Sequence, residues 1–445
     1  MQNSLKANIS GDHLFRKMCS FGIPIFLALF IQALYGAVDL WAVGRFGNAE
    51  DVTAVANGSH FMSLVTALFV GVSVGATIEL TEKFAEGDDY ASGYIAGACI
   101  RVIALFGLVV GLLLIIFAPL VARVMNTPDE AIAKTVLYLR ICGIGSIAIA
   151  LFNLISAIFR AIGDATTPLL FVLVACVFNV ILDVVLVEFC HLGTLGVALA
   201  TVVSQSMSVI SAILYIRKFH LPFVFGLEQV ETHKGFGRRV LKIGLPVGIQ
   251  QVFVNCFYVI ILAFSNSLGM VVSAGVGIAE RVIMFVMLIP LTFMETLTVF
   301  VAESKARGDH KTASKSLFIG MISSIVVGLI VFVLFEYFSP YVSQIFTSDK
   351  EIIKVSSEFL KATALECLIL SMTYCFLGYL NGTKHTPFVM LQGAVGIFCV
   401  KLPYAYYAVF LTTPRVYNVA LSLEFAGMAQ LFLCICYFLI ISKDK

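Results

Sequence analysis

Apolar stretches of roughly 20 residues recur along the whole chain, each followed by a short polar segment. A helix rises about 1.5 Å per residue, so each stretch can cross a hydrocarbon core of about 30 Å. The pattern predicts spans over 20–45, 53–78, 93–118, 134–159, 167–188, 194–216, 241–265, 272–300, 315–338, 357–380, 387–411 and 417–442, twelve in all. The ten-residue alternation that would mark barrel strands is absent. The first stretch holds Pro24 and Asp39 and lacks a small-residue cleavage site, so it is expected to stay as a helix.

Composition reinforces the pattern. The 445 residues are 60% hydrophobic and 13% charged, with a mean hydropathy of +0.99, far too apolar for a soluble globular protein. An all-α, multi-pass protein of the plasma membrane is expected, with the lipid bilayer as its main partner. The net charge of +2 says little, but its distribution orients the chain. Arg217, Lys218, Lys234, Arg238, Arg239 and Lys242 follow the sixth span, and Lys305, Arg307, Lys311 and Lys315 follow the eighth. Basic loops stay inside. Lys6, Arg16 and Lys17 place the N-terminus on the same cytoplasmic side, and Lys443 and Lys445 the C-terminus.

Several chemistries are excluded or unsupported. No basic stretch is interleaved with aromatics, so no nucleic-acid partner is expected. The eleven cysteines form no CxxC pair and read as small packing residues. The seven histidines show no ligand spacing, so neither a metal nor a cofactor is expected, and His60 reads as packing or a helix-end hydrogen bond.

The chain repeats itself. Gly22-Ile-Pro24 and Gly244-Leu-Pro246 open equivalent spans at an offset of 222, and each proline is followed by a glycine, Gly47 and Gly269. "EKFAEGD" at 82–88 matches "ESKARGD" at 303–309 at an offset of 221, and "GDATTP" at 163–168 matches "GTKHTP" at 382–387 at 219. With six spans per copy both halves enter the membrane from the same face, so they are related by a twofold axis along the membrane normal, with a cavity expected between them. The expected division is a first lobe at 1–216, a cytoplasmic linker at 217–240 and a second lobe at 241–445. Gly163, Asp164, Pro168, Gly382 and Pro387 are accounted for by turns and caps.

Polar groups inside the spans carry the candidate chemistry, since a charged side chain at membrane depth is costly and faces protein or water. Gln32, Tyr35 and Asp39 share one helical face; Asn179 and Asp183 share another, and the sixth span offers Thr201, Ser204 and Ser208. Pro24 supplies a point at which the first helix can bend. The second half has Gln251, Asn255 and Tyr258 in its first span, plus Glu295 and Glu366. Each of these is a candidate contact for a cationic substrate or a hydrogen bond between helices.

The motifs "GIP" at 22–24, "VDLWAVGRFG" at 38–47, "FRAIGDATTP" at 159–168, "NVILD" at 179–183 and "GTLGVALATVVSQ" at 193–205, with the repeated "GLP" and "GTKHTP", resemble the multidrug and toxic compound extrusion (MATE) transporters. The resemblance covers nearly the whole chain. It implies two six-helix lobes in a V-shaped, alternating-access exporter of cationic amphiphiles, driven by protons or sodium. Packed as in that family, Asp39, Asn179, Asp183 and Thr201 converge inside the first lobe. Two carboxylates in one low-dielectric site titrate as a unit and can take up and release a proton.

This chain departs from the family at Asn381-Gly382, where Arg-Gly is common, and at Lys401, where arginine is common. Val254 and Leu370 stand where some branches carry acidic residues, which counts against an ion site in the second lobe. A proton bound in the first lobe is therefore favoured as coupling ion. Sodium at Asp39 and Asp183 is the alternative, and Glu366 lies one turn from Leu370. The implied activity is secondary active export of cationic or amphiphilic small molecules by cation-coupled antiport, from a monomer.

Two other activities compete. A lipid-linked precursor flippase of the same superfamily would want a cationic cavity, for which Arg101, Arg140, Arg281, Lys361 and Lys401 are available. An intramembrane aspartyl protease needs Gly-x-Gly-Asp within a span, whereas "AIGD" at 161–164 lies in a loop with alanine first, so no enzyme is expected.

Overall fold

A computed structural model describes residues 13–231, 235–267, 269–408 and 416–443. In chain order it holds α1 Leu14–Phe46, α2 Ala49–Ala85, α3 Asp89–Val124, α4 Asp129–Ile144, α5 Ser146–Ala161, α6 Thr166–Asp183 and a π-helical turn Val184–Phe189. Then come α7 Gly193–Phe219, α8 Leu227–Glu231, α9 Phe236–Ser267, α10 Met270–Ala306, α11 His310–Gln344, α12 Lys350–Ala362 and α13 Ala364–Gly382. The chain closes with α14 Thr386–Ala394, a second π-helical segment Val395–Lys401, α15 Leu402–Tyr406 and α16 Val416–Lys443. No strand occurs among the described residues.

Eleven of these segments are single helices long and apolar enough to cross a membrane, and the pair α4 and α5, bent by 54°, makes the twelfth. The fourth span is thus broken where the sequence predicts a continuous helix. The break falls at Gly145, where a Cβ would strike the side chain of Val202 on α7. Just beyond it Ser146 donates to the Gly107 carbonyl at 2.6 Å, tying the bend to α3. The helix is also interrupted at Thr363, between α12 and α13. There the Thr363 hydroxyl folds back onto the carbonyls of Phe359 and Leu360, both at 3.1 Å, a bond that competes with the helix ladder.

The repeat is visible at the level of single hydrogen bonds. Thr77 donates to the Ala157 carbonyl at 3.3 Å, and Thr298, 221 residues later, donates to that of Gly378 at 3.4 Å, also 221 residues later. Gly87 and Gly308 take φ of 80° and 72°, the left-handed region that reverses the chain at a helix end. The aspartates that follow cap the next helix: Asp88 accepts from the Ala91 N–H and Asp309 from that of Thr312, both at 2.9 Å. The shared Gly-Asp is therefore a stop and a start.

The third motif pair aligns differently from its letters. Gly163 takes φ of 80°, but in the second copy the left-handed residue is Lys384, at 65°, and Gly382 still belongs to α13. Gly382 is small for another reason: a Cβ there would crowd the Thr298 carbonyl and Val301 of α10. From the left-handed residue to the proline the second copy is two residues shorter, 384 to 387 against 163 to 168, which is where the offset falls from 221 to 219.

Among the described residues the chain forms two compact units, 23–249 and 13–22 with 250–443. Each has its own core, around Phe69, Leu139 and Leu154 in the first and Phe257, Phe335 and Phe359 in the second. The opening turns of α1 belong to the second unit and those of α9 to the first. Within the first unit, Gly71 and Gly75 of α2 face Gly244 and Gly248 of α9 so closely that a Cβ on Gly71 would overlap the Gly248 backbone. Residues 217–231 are not a loose tether. Phe223 and Gln229 are buried, and Gly93 and Gly97 of α3 lie against the carbonyls of Val224 and Gln229.

Candidate functional site

Three helices of the first unit build the site. Asp39 lies about two turns before the end of α1. Asn179 and Asp183 stand one turn apart at the end of α6, directly before the π-helical turn. Such local departures from the α ladder recur at functional positions. Thr201 comes from α7. Asp39 is 5% exposed, while Asn179 and Asp183 are wholly buried.

The four residues expected to converge do so. The Asp39 carboxylate lies within reach of Asp183 and Asn179, and the Thr201 hydroxyl is 3.4 Å from its Oδ2. That hydroxyl also points at the Val197 carbonyl, at 3.0 Å, and one proton cannot serve both acceptors fully. Asp39 Oδ1, both carboxylate oxygens of Asp183 and both amide atoms of Asn179 have no hydrogen-bond partner. Two ionised carboxylates are acceptors only, so nothing joins them; a proton on either converts the confrontation into a hydrogen bond. Unit charges 4 Å apart repel by about 4 kcal/mol at an effective dielectric of 20. The arrangement thus favours a bound cation, proton or metal, between the two side chains.

Gln32 and Tyr35 are half-buried on the same helix, and Tyr35 faces Asp39 and Gln205. Ser204 and Ser208 donate to the carbonyls of Thr201 and Phe171, so their hydroxyls are spent on backbone. Tyr138 of α4 was not anticipated. It is buried, faces both aspartates and stacks close enough on Gly58 that a Cβ there would meet its ring. Its only sequence signal is a tyrosine four residues before Cys142, which also faces Asp39.

The candidates of the second unit lie on three helices. Gln251 and Asn255 are half-buried on α9, Glu295 is half-buried on α10, and the side chain of Tyr258 lies outside the described residues. Glu366, on α13, is buried and ion-paired with Lys401 at 3.4 Å. Glu280 of α10, also unanticipated, has a buried carboxylate oxygen beside Arg281. Pro24 lies inside α1, one residue past the point where that helix passes from the second unit to the first.

The "GD" of the protease comparison is a turn. Asp164 accepts from the Thr166 and Thr167 backbone, at 3.0 and 2.9 Å, and from the Thr167 hydroxyl, capping α6.

Known proteins resemble the chain throughout. "Probable multidrug resistance protein YoeA" of Bacillus subtilis is 22% identical over 443 residues, 98% of this chain and 96% of that one. "Multidrug export protein MepA" of Staphylococcus haemolyticus is 23% identical over 387 residues, covering 86% and 85% of the two chains. The solved outward-facing structure of a multidrug resistance MATE family transporter of the MOP superfamily superposes with a TM-score of 0.89 at 18% identity, over 98% of this chain and 97% of that one. The profile of the MatE family matches twice, over residues 24–185 and 246–407, with the same 222-residue spacing as Pro24 and Pro246. This multi-pass membrane protein, a twofold repeat of six-helix lobes, belongs to the MatE family.

Proposed function

We propose that the protein is a multidrug efflux transporter of the cell membrane that exports cationic or amphiphilic small molecules by antiport, with the proton as coupling ion bound between Asp39 and Asp183. The observation that carries this reading is the buried, mutually facing carboxylate pair with its unpartnered oxygens. One proton satisfies the pair by itself, whereas sodium needs several oxygen ligands at once. Thr201 approaches the pair from α7, and Asn179 and Tyr138 line it. Gln32 and Tyr35 extend the polar face along α1 toward the substrate.

The basic loops support cytoplasmic termini. Pro24 lacks an N–H and leaves one carbonyl of the preceding turn without its helical bond, so α1 bends there at least cost. That bend would change how Asp39 meets α6 as the transporter alternates. The flippase alternative is weakened by Lys401, whose ammonium is already neutralised by Glu366.

The test is transport of fluorescent cations into inside-out vesicles, where export fills the lumen, under an imposed proton gradient. Asp39→Asn keeps the hydrogen-bonding shape and cannot titrate, so coupled efflux should fall at least tenfold at normal expression. Full efflux by that variant refutes the site. Uphill efflux with sodium as the only gradient, lost in Asp39→Asn, keeps the site and reverses the ion.

A further inference from the structure

The second unit contains a buried charged cluster that the reading above does not use. Glu366 and Lys401 pair at 3.4 Å with almost no exposure of either, and the ammonium lies 5.0 Å from the centre of the Phe257 ring. Glu424 of α16, Tyr374 and Cys367 are the other titratable groups whose charge acts on or feels Glu366. Burying such a pair costs desolvation that apolar side chains of equal volume would avoid. Its place in the repeat supplies a reason for it.

Lys401 stands 14 residues after Pro387, and Asp183 stands 15 after the equivalent Pro168. Asp183 directly precedes the π-helical turn in the fifth helix of its lobe, and Lys401 is the last residue of the π-helical segment in the fifth helix of the other. Glu424 and Thr201 sit on the sixth helix of each lobe. The fifth and sixth helices therefore contribute to the polar centre in both copies, the remaining carboxylate coming from α1 in the first lobe and α13 in the second, and Lys401 stands one residue short of the place equivalent to Asp183. In the first lobe two carboxylates face each other with a hydroxyl, an amide and a phenol around them; the groups acting on them include no basic side chain. In the second, the basic side chain is tethered to the chain itself.

We propose that Lys401 is the resident cation of the second lobe. Its ammonium occupies, on Glu366, the place of a small monovalent cation, so that only the first lobe exchanges its cation with bulk water. Removing the ammonium would unmask a cation site made of Glu366, Glu424 and the Phe257 ring face. The inference rests on the reading of the first lobe as the exchanging one, and the variants below separate the two.

The experiment is thermal unfolding of the purified full chain in micelles, at constant ionic strength. One arm exchanges choline for sodium at fixed pH, and the other varies pH in choline. In Asp39→Asn the sodium dependence of the wild type should vanish, and with it the share of the proton dependence that lies above the ordinary carboxylate value of about 3.9. In Asp39→Asn with Lys401→Met a cation dependence should return, as a rise in Tm of a few degrees with sodium or with protons, and the arm that responds names the ion. Adding Glu366→Gln should abolish it again.

No cation dependence in the Lys401→Met background, with folded protein, overturns the proposal. So does a dependence that survives Asp39→Asn and is removed by Glu366→Gln alone, because Glu366 would then already exchange its cation. A wild type whose cation dependence ignores Asp39 and Glu366 alike refutes the first-lobe reading, while Lys401→Met alone still tests the second. If Lys401→Met is poorly recovered, yield is the readout. Recovery improved by sodium or low pH supports a cation site; poor recovery under every cation, restored only by Glu366→Gln, overturns it and leaves a structural ion pair.

Discussion

Asp51, at the start of α2, should be the most costly surface-proximal carboxylate of the first lobe to remove. It is 7% exposed and accepts from the Thr194 backbone at 3.1 Å and the Thr194 hydroxyl at 2.7 Å, thereby holding the start of α7. It also closes a capping box with Asn48 and pairs with Lys134 of α4 at 3.1 Å. Gly193, at φ of 50°, is glycine partly because a Cβ would run into this carboxylate. Asp51→Ala strands two buried donors on Thr194, each worth about 1.5 kcal/mol against a charged acceptor. The Lys134 pair is partly exposed and adds less than about 1 kcal/mol. The expected loss is about 3 to 4 kcal/mol, or a fall in Tm of roughly 6–16 °C for a unit of this size. Asp51→Asn retains an acceptor and should lose only about 1 kcal/mol. A thiol-reactive fluorophore can follow unfolding in micelles, because Cys99 and Cys142 are buried in this unit. A double-mutant cycle with Thr194→Val should give a coupling of at least about 1 kcal/mol. An Asp51→Ala variant with the wild-type Tm, or strictly additive effects, would refute the clamp.

Gly71→Val should prevent recovery of monodisperse protein, because its side chain would occupy the Gly248 backbone, whereas Gly36→Ala, with nothing within 4 Å of the new methyl, should unfold within a degree or two of wild type; size-exclusion profiles distinguish the two. Asp309→Ala and Asp88→Ala should each cost about 1 kcal/mol through loss of the helix cap, measured as a Tm shift. The Thr312 hydroxyl and N–H hold the Asp309 carboxyl below the usual carboxylate range. The folded-state value is thus depressed, so its stabilisation is present above the ordinary value of about 3.9 and disappears as pH falls through the lower one. A Tm difference between Asp309→Ala and wild type that persists unchanged to the lowest attainable pH would contradict this.

Much of the architecture was legible because lipid forces it. Backbone groups in hydrocarbon must bond within their own segment, so apolar runs alone place the helices. The Gly-Asp motifs were readable for the same kind of reason, since Gly87 and Gly308 meet a conformational demand that few residues satisfy. The breaks at Gly145 and Thr363 were hidden, because each depends on a partner remote in sequence or on a side chain folding back on its own helix. Matching letters also misled at "GDATTP" and "GTKHTP", where the left-handed residue is a glycine in one copy and Lys384 in the other. Asp39 and Asp183 could be found because charge inside a span is rare. Tyr138 could not, because a tyrosine in an apolar helix is ordinary until its neighbours are known.

The two copies have kept and changed different things, and the difference follows from what each interaction costs to lose. The Thr77 and Thr298 bonds, the capping aspartates and the glycines at turns act within one lobe and cannot be exchanged without loosening it, so both copies retain them. A charged centre is under a different constraint: it needs only electrical balance, and a proton, a sodium ion or a tethered ammonium can each provide that. Once one lobe supplies the exchangeable cation, the other is free to settle its balance covalently. Asp39 with Asp183, and Glu366 with Lys401, are the two solutions held side by side in one chain. On the proposal that Lys401 is the resident cation of the second lobe, the charge carried per cycle would be set by the first lobe alone, whereas two exchangeable carboxylate pairs would move two coupled ions. Measuring the proton to substrate ratio in proteoliposomes should therefore give a value accounted for by the Asp39 and Asp183 pair, and a larger ratio that drops on Glu366→Gln would show that the second lobe takes part.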